Sequence, residues 1–412
     1  MRLLFLAHRV PDRPTKGDKI RAWHELRALA ARHEVHFFGV DDRGDAADAG
    51  DAARPDWAGE VASTQVFRLE PMAARLRAAR ALVVGGALTA AHFALPALRG
   101  AVKAALAERR FDLAFVYSGA VEPLVGGFSP RVVDLVDVDS EKFRLYHELR
   151  AVPAIKRLAC AIEWRRLRAL EKRASESAEA TLVCTEGEAL TLRSFARPRR
   201  LEVVGNGVDL DAFPFAPPAG RAQDEILFVG ALDYRANVDA CERLVRDLLP
   251  RIRREFPAAS VTLVGSRPDS AVRALAREPG VSLHADVESV LPFVRRATLT
   301  LLPLRVARGV QNKALEALAS GLPLVVSGEV ARGLSGIDGR DWLAGAGPEE
   351  LAKAAVRLLG DAALREQLAR AGRALVESSY DWRRRLDRLL EVVEESANAL
   401  RERPIAKVGT AP

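Results

Sequence analysis

Short apolar runs alternate with amphipathic stretches along most of the chain. Arg2 to Ala7 is apolar after its first residue, Asp18 to Ala31 sets Ile20, Trp23, Leu26 and Leu29 at helical spacing, and Val35 to Val40 is again mostly apolar. Apolar runs of this length read as strands buried on both faces, and their alternation with helical patterns predicts a parallel sheet. Further strands are expected at Thr64 to Leu69, Asp112 to Tyr117, Val132 to Val136 and Ala180 to Cys184. The longest helix of this half is predicted over Ala154 to Ser177, with Ile155, Leu158, Ile162, Leu167 and Leu170 on one broad apolar face. A polar joint, Phe213 to Asp224, holds Pro214, Pro217, Pro218 and Gly220. Beyond it the pattern restarts, with strands at Glu225 to Val229, Ser260 to Val264, Val281 to His284, Thr298 to Leu302 and Pro323 to Ser327. The fold class is therefore α/β, with two Rossmann-like, doubly wound domains at 1–207 and 208–381. A helix at 382–401 is expected to pack back toward the first domain, and a tail at 402–412 to be disordered.

Composition narrows the class without changing this picture. At 412 residues, 49% hydrophobic and 28% charged, the chain suits two folded domains and not a disordered or fibrous one. Asp41 to Glu60 carries seven acidic residues among Gly and Ala and reads as a mobile loop. Ala81 to Leu98 is apolar for about the length of a membrane span, but Gly85, Gly86, His92 and Pro96 interrupt it, so it reads as a helix-loop-helix. Cys160, Cys184 and Cys241 have no metal-binding or disulfide spacing, and the N-terminus lacks a signal-peptide core; a cytoplasmic setting is expected. The net charge of +7 is concentrated, since residues 141–200 hold 14 Lys and Arg against 8 Asp and Glu. That excess is either the solvated face of a long helix or an attraction for a phosphorylated acceptor or an anionic membrane surface. No nucleic-acid module is present, and nucleic acid is not an expected partner.

Candidate chemistry gathers between Pro303 and Gly321. A strand ending at Pro303, a loop LRVARGVQ, a helix NKALEALAS and a following strand PLVVS form one strand-loop-helix-strand unit. In doubly wound sheets ligands bind outside the carboxyl ends of the strands, and a helix N-terminus there favours phosphate. Arg305, Arg308 and Lys313 add cations, Gln311 and Asn312 add amides, and Glu316 stands one turn inside the helix, where it could accept hydrogen bonds from ribose hydroxyls. In the first half, Lys16, Gly17, Asp18 and Lys19 lie where the first strand hands over to the first helix; Gly17 would allow close backbone approach to phosphates, and Asp18 equally well caps the helix. Asp137 and Asp139 follow a strand directly, so either could orient an acceptor hydroxyl, while Asp139 before Ser140 and Glu141 also fits a helix start. Lys19 and His147 are further acceptor-side candidates, and His8 a weaker one. No Gly-x-Gly-x-x-Gly turn follows the first strand, which disfavours a dinucleotide-dependent dehydrogenase.

The stretch RGVQNKALEALASGLPLVV, Arg308 to Val326, resembles the signature helix of the retaining GT-B enzymes of glycosyltransferase family 4, matching at Glu316, Ala317, Gly321, Pro323, Val325 and Val326. Asn206 to Asp209 with Phe213 resembles that family's interdomain junction, and Phe228 to Gly230 and Val264 to Gly265 resemble its first two C-domain strands. HRVPDRPTKGDKIR at 8–21, VDVDSEKFRLY at 136–146, VGALDYRANVDA at 229–240 and PLRVARGVQNK at 303–313 resemble the exopolysaccharide glycosyltransferases associated with the PEP-CTERM/exosortase system. The resemblance implies two domains facing a cleft, with a nucleotide diphosphate sugar as co-substrate and Gly17, Gly230, Arg305, Gln311, Asn312, Lys313 and Glu316 on the donor. It implies a saccharide or polyprenyl-diphosphate-linked acceptor, front-side transfer with Asp139 and Arg308 as catalytic candidates, and no metal or other cofactor. Two departures stand out. Arg308 replaces the first of the family's two glutamates, and Ala231 and Ala236 replace its usual Arg and Lys, so phosphate neutralisation is expected from Arg305, Arg308 and Lys313 instead. A nucleotide-sugar epimerase of the same fold and a catalytically inactive partner protein are the alternatives.

Overall fold

The computed structural model describes residues 1–11, 17–42, 55–108, 111–148, 153–307 and 309–401. It divides into two compact units. One holds the N-terminal strand, Asp18–Val204 and the chain from Leu386; the other holds Gly205–Arg385 together with Gly17.

The sheet of the first unit has seven parallel strands: β1 (Arg2–Ala7), β2 (Glu34–Asp41), β3 (Ser63–Arg68), β4 (Leu113–Tyr117), β5 (Arg131–Val136), β6 (Ala180–Val183) and β7 (Leu201–Val203), in the order β3-β2-β1-β4-β5-β6-β7. The interior position of β1 explains the apolar run at the N-terminus. Leu4 and Leu6 enter the core on one face of the sheet, while Leu3, Phe5 and Ala7 enter the core on the other. Strict alternation with both faces covered leaves no position for a polar side chain.

The second unit repeats the plan with six parallel strands: β8 (Glu225–Val229), β9 (Ser260–Gly265), β10 (Val281–Ala285), β11 (Leu299–Leu302), β12 (Leu324–Ser327) and β13 (Leu343–Gly345), ordered β10-β9-β8-β11-β12-β13. In both sheets the strand order reverses beside the first strand of the unit, at β1/β4 and at β8/β11. Ligands of doubly wound sheets lie at such switch points, outside the carboxyl ends.

Two sequence expectations are corrected and a third is met. The face of the Ala154–Ser177 helix is split: Leu167 and Leu170 are buried, but Ile155 and Leu158 are 79% and 62% exposed. Within the acidic segment, Asp56–Gly59 forms a turn of 3-10 helix whose Trp57 is fully buried and donates its indole N–H to the Pro11 carbonyl oxygen at 3.1 Å; residues 43–54 of that segment lie outside the described residues. The apolar stretch breaks as its glycines and proline require, into the end of one helix (Pro71–Val84), a short one (Leu88–Phe93) and the start of a third (Pro96–Glu108). Among the described residues no helix is long and apolar enough to cross a membrane.

The last helix, Trp382–Arg401, begins in the second unit and enters the first from Leu386. There Leu389, Leu390, Val392, Val393 and Ala397 join the core beneath Leu3, Phe5 and Phe115.

Candidate functional site

The carboxyl ends of β8, β9 and β11 converge on Gly230. A Cβ on Gly265, at the end of β9, would lie 1.7 Å from the Gly230 carbonyl oxygen, so the two backbones touch and only glycine fits at 265. Gly230 is crowded from its other side. A Cβ there would meet Asn237 Nδ2 at 2.8 Å and Lys313 Nζ at 3.0 Å. Asn237 lies in the Arg235–Arg243 helix that follows β8; its Nδ2 donates to the Ala231 carbonyl oxygen at 2.9 Å, and its Oδ1 accepts from Lys313 Nζ at 2.6 Å. The ammonium also stands 4.7 Å from the centroid of the Phe228 ring, within cation–π range.

Lys313 reaches this point from the helix Asn312–Ala319, which follows β11. Apolar positions at helical spacing hold that helix down: Ala314, Leu315, Leu318 and Ala319 are buried in the core of the unit. Its C-terminus closes with bonds from Gly321 N–H to Leu318 O (3.1 Å) and from Leu322 N–H to Ala317 O (2.9 Å), with Gly321 at φ +67°, the Schellman arrangement that favours glycine. Its N-terminus differs, because Gln311 supplies no side-chain cap. The first N–H groups of such a helix, with the positive end of its dipole, suit an anion. Asn312 is fixed by its Oδ1, which accepts from Asn206 Nδ2 at 3.1 Å.

Water is scarce around the two ionisable groups of this helix. Burial pushes the Lys313 ammonium down to about 8, against the attraction of Cys241 and Glu316, and pushes the Glu316 carboxyl up to about 7, against the attraction of Lys313. Both side chains keep partial exposure, so both are reachable by a ligand.

Of the three expected cations, Lys313 stands against Gly230. Arg305 turns to Asp239 at 3.0 Å. Asp239 is two residues beyond Asn237 and so, at about 100° per residue, on nearly the opposite side of the same helix. Arg308 lies outside the described residues. Ala236 is buried against the unit's core, where a lysine would need room. Asn237, which sequence reasoning did not single out, does the positioning instead; a small amide one turn into the first helix after a strand is the only sequence signal for it.

Gly17 opens the Gly17–Ala30 helix after β1. Lys19 is buried, with Nζ 3.1 Å from Asp42 Oδ1, and Asp42 also accepts from Arg9 Nε at 2.7 Å. Asp137 accepts from the buried Cys184 thiol at 2.8 Å, and burial, with Asp137 beside it, holds that thiol well above its ordinary range. Asp139 begins the helix Asp139–Glu148 and bonds Lys142 Nζ, but does not cap it. Glu171 does so from a different helix: its carboxylate accepts from Ser140 N–H at 3.0 Å and Ser140 Oγ at 2.5 Å, and burial pushes it up to about 8. His147 is tied to Arg157, whose carbonyl oxygen lies 3.1 Å from Nδ1 and whose Nε donates to the His147 carbonyl oxygen at 2.8 Å; these bonds link two helices. Among the described residues no group of three or more His, Cys, Asp or Glu could hold a metal ion.

A depression at the opposite, amino ends of β8 to β10 is lined by Glu225, Thr262 and Arg296, and these satisfy one another at 2.6 Å. It is a structural contact and not a second site.

Comparison with solved structures decides the fold. Sucrose-phosphate synthase of Thermosynechococcus elongatus superposes with a TM-score of 0.73 at 17% identity, covering 97% of this chain and 100% of that one. Anabaena HepE, solved in complex with UDP, superposes with a TM-score of 0.66 at 14% identity over 96% of this chain and all of that one. The fold is GT-B. Residues 223–361 match the family described as glycosyl transferases group 1. Glycogen synthase of Mycobacterium tuberculosis is 34% identical over 200 residues, 44% of this chain and 45% of that protein. D-inositol 3-phosphate glycosyltransferase of Frankia alni is 30% identical over 214 residues, 45% of this chain and 51% of that protein. The chain spans about half the length of the curated relatives it matches.

Proposed function

We propose that this GT-B protein is a retaining glycosyltransferase that takes a sugar from a nucleotide diphosphate donor. The observation that carries the reading is the Lys313 ammonium, held by Asn237 over Gly230 beside a helix start without a side-chain cap. A desolvated cation and a helix start without a side-chain cap at a switch point suit a diphosphate leaving group. Glu316, farther along the same helix, suits the ribose hydroxyls. The match over residues 223–361 and the UDP complexes of HepE favour a nucleotide sugar, with UDP as the first base to test.

Catalysis then rests on position and charge. Lys313 and the helix start stabilise negative charge as the glycosyl bond breaks, and a protein nucleophile is not required if the leaving diphosphate takes the acceptor proton from the front side. Asp137 and Asp139, at the carboxyl end of β5, are the acceptor-side candidates. No metal is called for where an ammonium neutralises the leaving group. The acceptor is a saccharide or a polyprenyl-diphosphate-linked saccharide in exopolysaccharide assembly at the cytoplasmic face of the membrane.

Titration calorimetry with UDP, GDP and ADP tests the donor site. One of them should bind, and Lys313→Ala should weaken it at least tenfold, the loss of a charge-assisted bond worth about 1.5–3 kcal/mol. If none of the three binds the unaltered protein, the reading fails. Nucleotide binding without transfer from the matching donor to any saccharide acceptor would retain the site and remove the transferase.

A further inference from the structure

The helix Pro71–Val84 is amphipathic the wrong way round. It buries Ala74 and Ala81 and exposes Met72 (67%), Leu76 (64%) and Val83 (89%). At about 100° per residue these three fall within about 40° of one another, and the two alanines fall on the opposite side. A helix that turns its smallest side chains inward and its largest apolar ones outward leaves that outer stripe for another surface to cover.

Within the helix the charge has one sign, the nearest acid being Glu70 just before its first turn. From Pro71 to Ala107 there is no Asp or Glu, against five Lys and Arg. Arg77 is used internally, donating to the carbonyl oxygens of Ala91 and His92. Arg75 and Arg80 flank the stripe on either side and have no acidic partner among the described residues. The helix Ala154–Ser177 continues the pattern. Arg166 fastens it to the first helix through the carbonyl oxygens of Ala81, Leu82 and Gly86 at 2.7–3.1 Å. Its first turns expose Ile155 and Leu158, and over residues 154–173 its two acids, Glu163 and Glu171, are buried on internal hydrogen bonds. The outward charge of that stretch is cationic.

From this juxtaposition we infer that the two helices form a docking face for an anionic lipid surface, with Met72, Leu76 and Val83 entering the headgroup boundary and Arg75 and Arg80 meeting lipid phosphates. Large apolar residues flanked by basic ones on an in-plane helix are the mark of interfacial binding. The lack of acids within the helix separates this face from a self-complementary one, because a second copy would bring Arg75 and Arg80 against like charges. The inference stands on the surface alone and does not depend on the donor reading.

Co-sedimentation with phosphatidylcholine vesicles, neutral or made anionic with phosphatidylglycerol, tests it. The full chain should partition at least tenfold more strongly onto the anionic vesicles, with binding falling as salt rises. Met72→Ser, Leu76→Ser and Val83→Ser combined should lower that partition at least tenfold while leaving the thermal midpoint and nucleotide affinity unchanged. Arg75→Glu with Arg80→Glu should abolish the anionic preference, since each basic side chain near such a surface contributes about fivefold. Equal binding to both vesicles, no binding to either, or full binding by the serine variant overturns the proposal. So does a dimer in light scattering that the serine variant dissolves, which would give the face to a second copy.

Discussion

At the residue scale, Lys313 and Glu316 are each held in a setting that disfavours their charge, and this links binding to pH. With the ammonium at about 8 and the carboxyl at about 7, both are ionised together only in a narrow range between those values. Nucleotide affinity should therefore peak between about 7 and 8, falling on the acid side as Glu316 gains a proton and on the alkaline side as Lys313 loses one. Calorimetric titrations across that range check this, and a flat profile would separate the two groups from the ligand. The same shifts fix the sign for stability. Folding lowers the Lys313 pKa, so its charge costs stability below about 8, and this cost fades as pH rises through the folded value toward the ordinary lysine range. Folding raises the Glu316 pKa, so its stabilising share is present in acid and is lost as pH rises through about 7. Glu316→Gln should accordingly raise the thermal midpoint by about 2–4 °C at pH 8 while weakening nucleoside binding, the trade expected of a functional group kept against stability. The sequence displayed Lys313 and Glu316 because they sit in a recognisable helix. It concealed Asn237, whose task exists only once the loop after β8 closes over Gly230.

At the scale of elements, the polar supports inside the first unit come from distant parts of the chain. Arg21, fully buried, donates from Nε to Asp134 on β5 at 2.8 Å and from Nη1 to the Val204 carbonyl oxygen at 2.7 Å. Glu25, one turn along the helix, lies 3.0 Å from the same Nε, and burial holds its carboxyl well above the usual range despite Arg21. Asp134→Ala would strand a buried guanidinium, so unfolding in denaturant should show a loss of about 3–5 kcal/mol, and a change within experimental error would mean that the network is dispensable. Glu163 works in the same long-range way, accepting from Leu88 N–H and Thr89 N–H at the start of a helix some 75 residues earlier in the chain. Central strands were legible from their apolar runs because both faces are buried. The three-residue strands β7 and β13 were not, since an edge strand that short carries no periodicity to read. The Ala154–Ser177 helix misled in a different manner: its apolar spacing is genuine, but the first two turns find no core.

At the scale of the whole molecule, the core of the second unit comes from one stretch of chain, Gly205–Arg385, whereas the core of the first is completed by the C-terminal helix. Ending the chain at Arg385 would remove Leu389, Leu390, Val392 and Val393 from the core under β1 and β4 while leaving the core of Gly205–Arg385 whole. Hydrogen exchange on that truncation should find the amides of β1, β2 and β4 unprotected and those of β8 and β11 still protected; protection in both sheets would mean that the last helix is an accessory. The two-unit plan was readable because the same strand and helix alternation occurs twice around a proline-rich joint. The closing of the first core by the final helix was only an expectation, since an amphipathic helix states that it must be covered and not by what.

That closing helix sets an order of events during synthesis. Leu389 is synthesised only after the whole of Gly205–Arg385, so the unit encoded first lacks part of its floor throughout the synthesis of the other. The N-terminal sheet must therefore wait, partly open, through the translation of a whole domain, and its apolar strands are the surfaces a chaperone would find there.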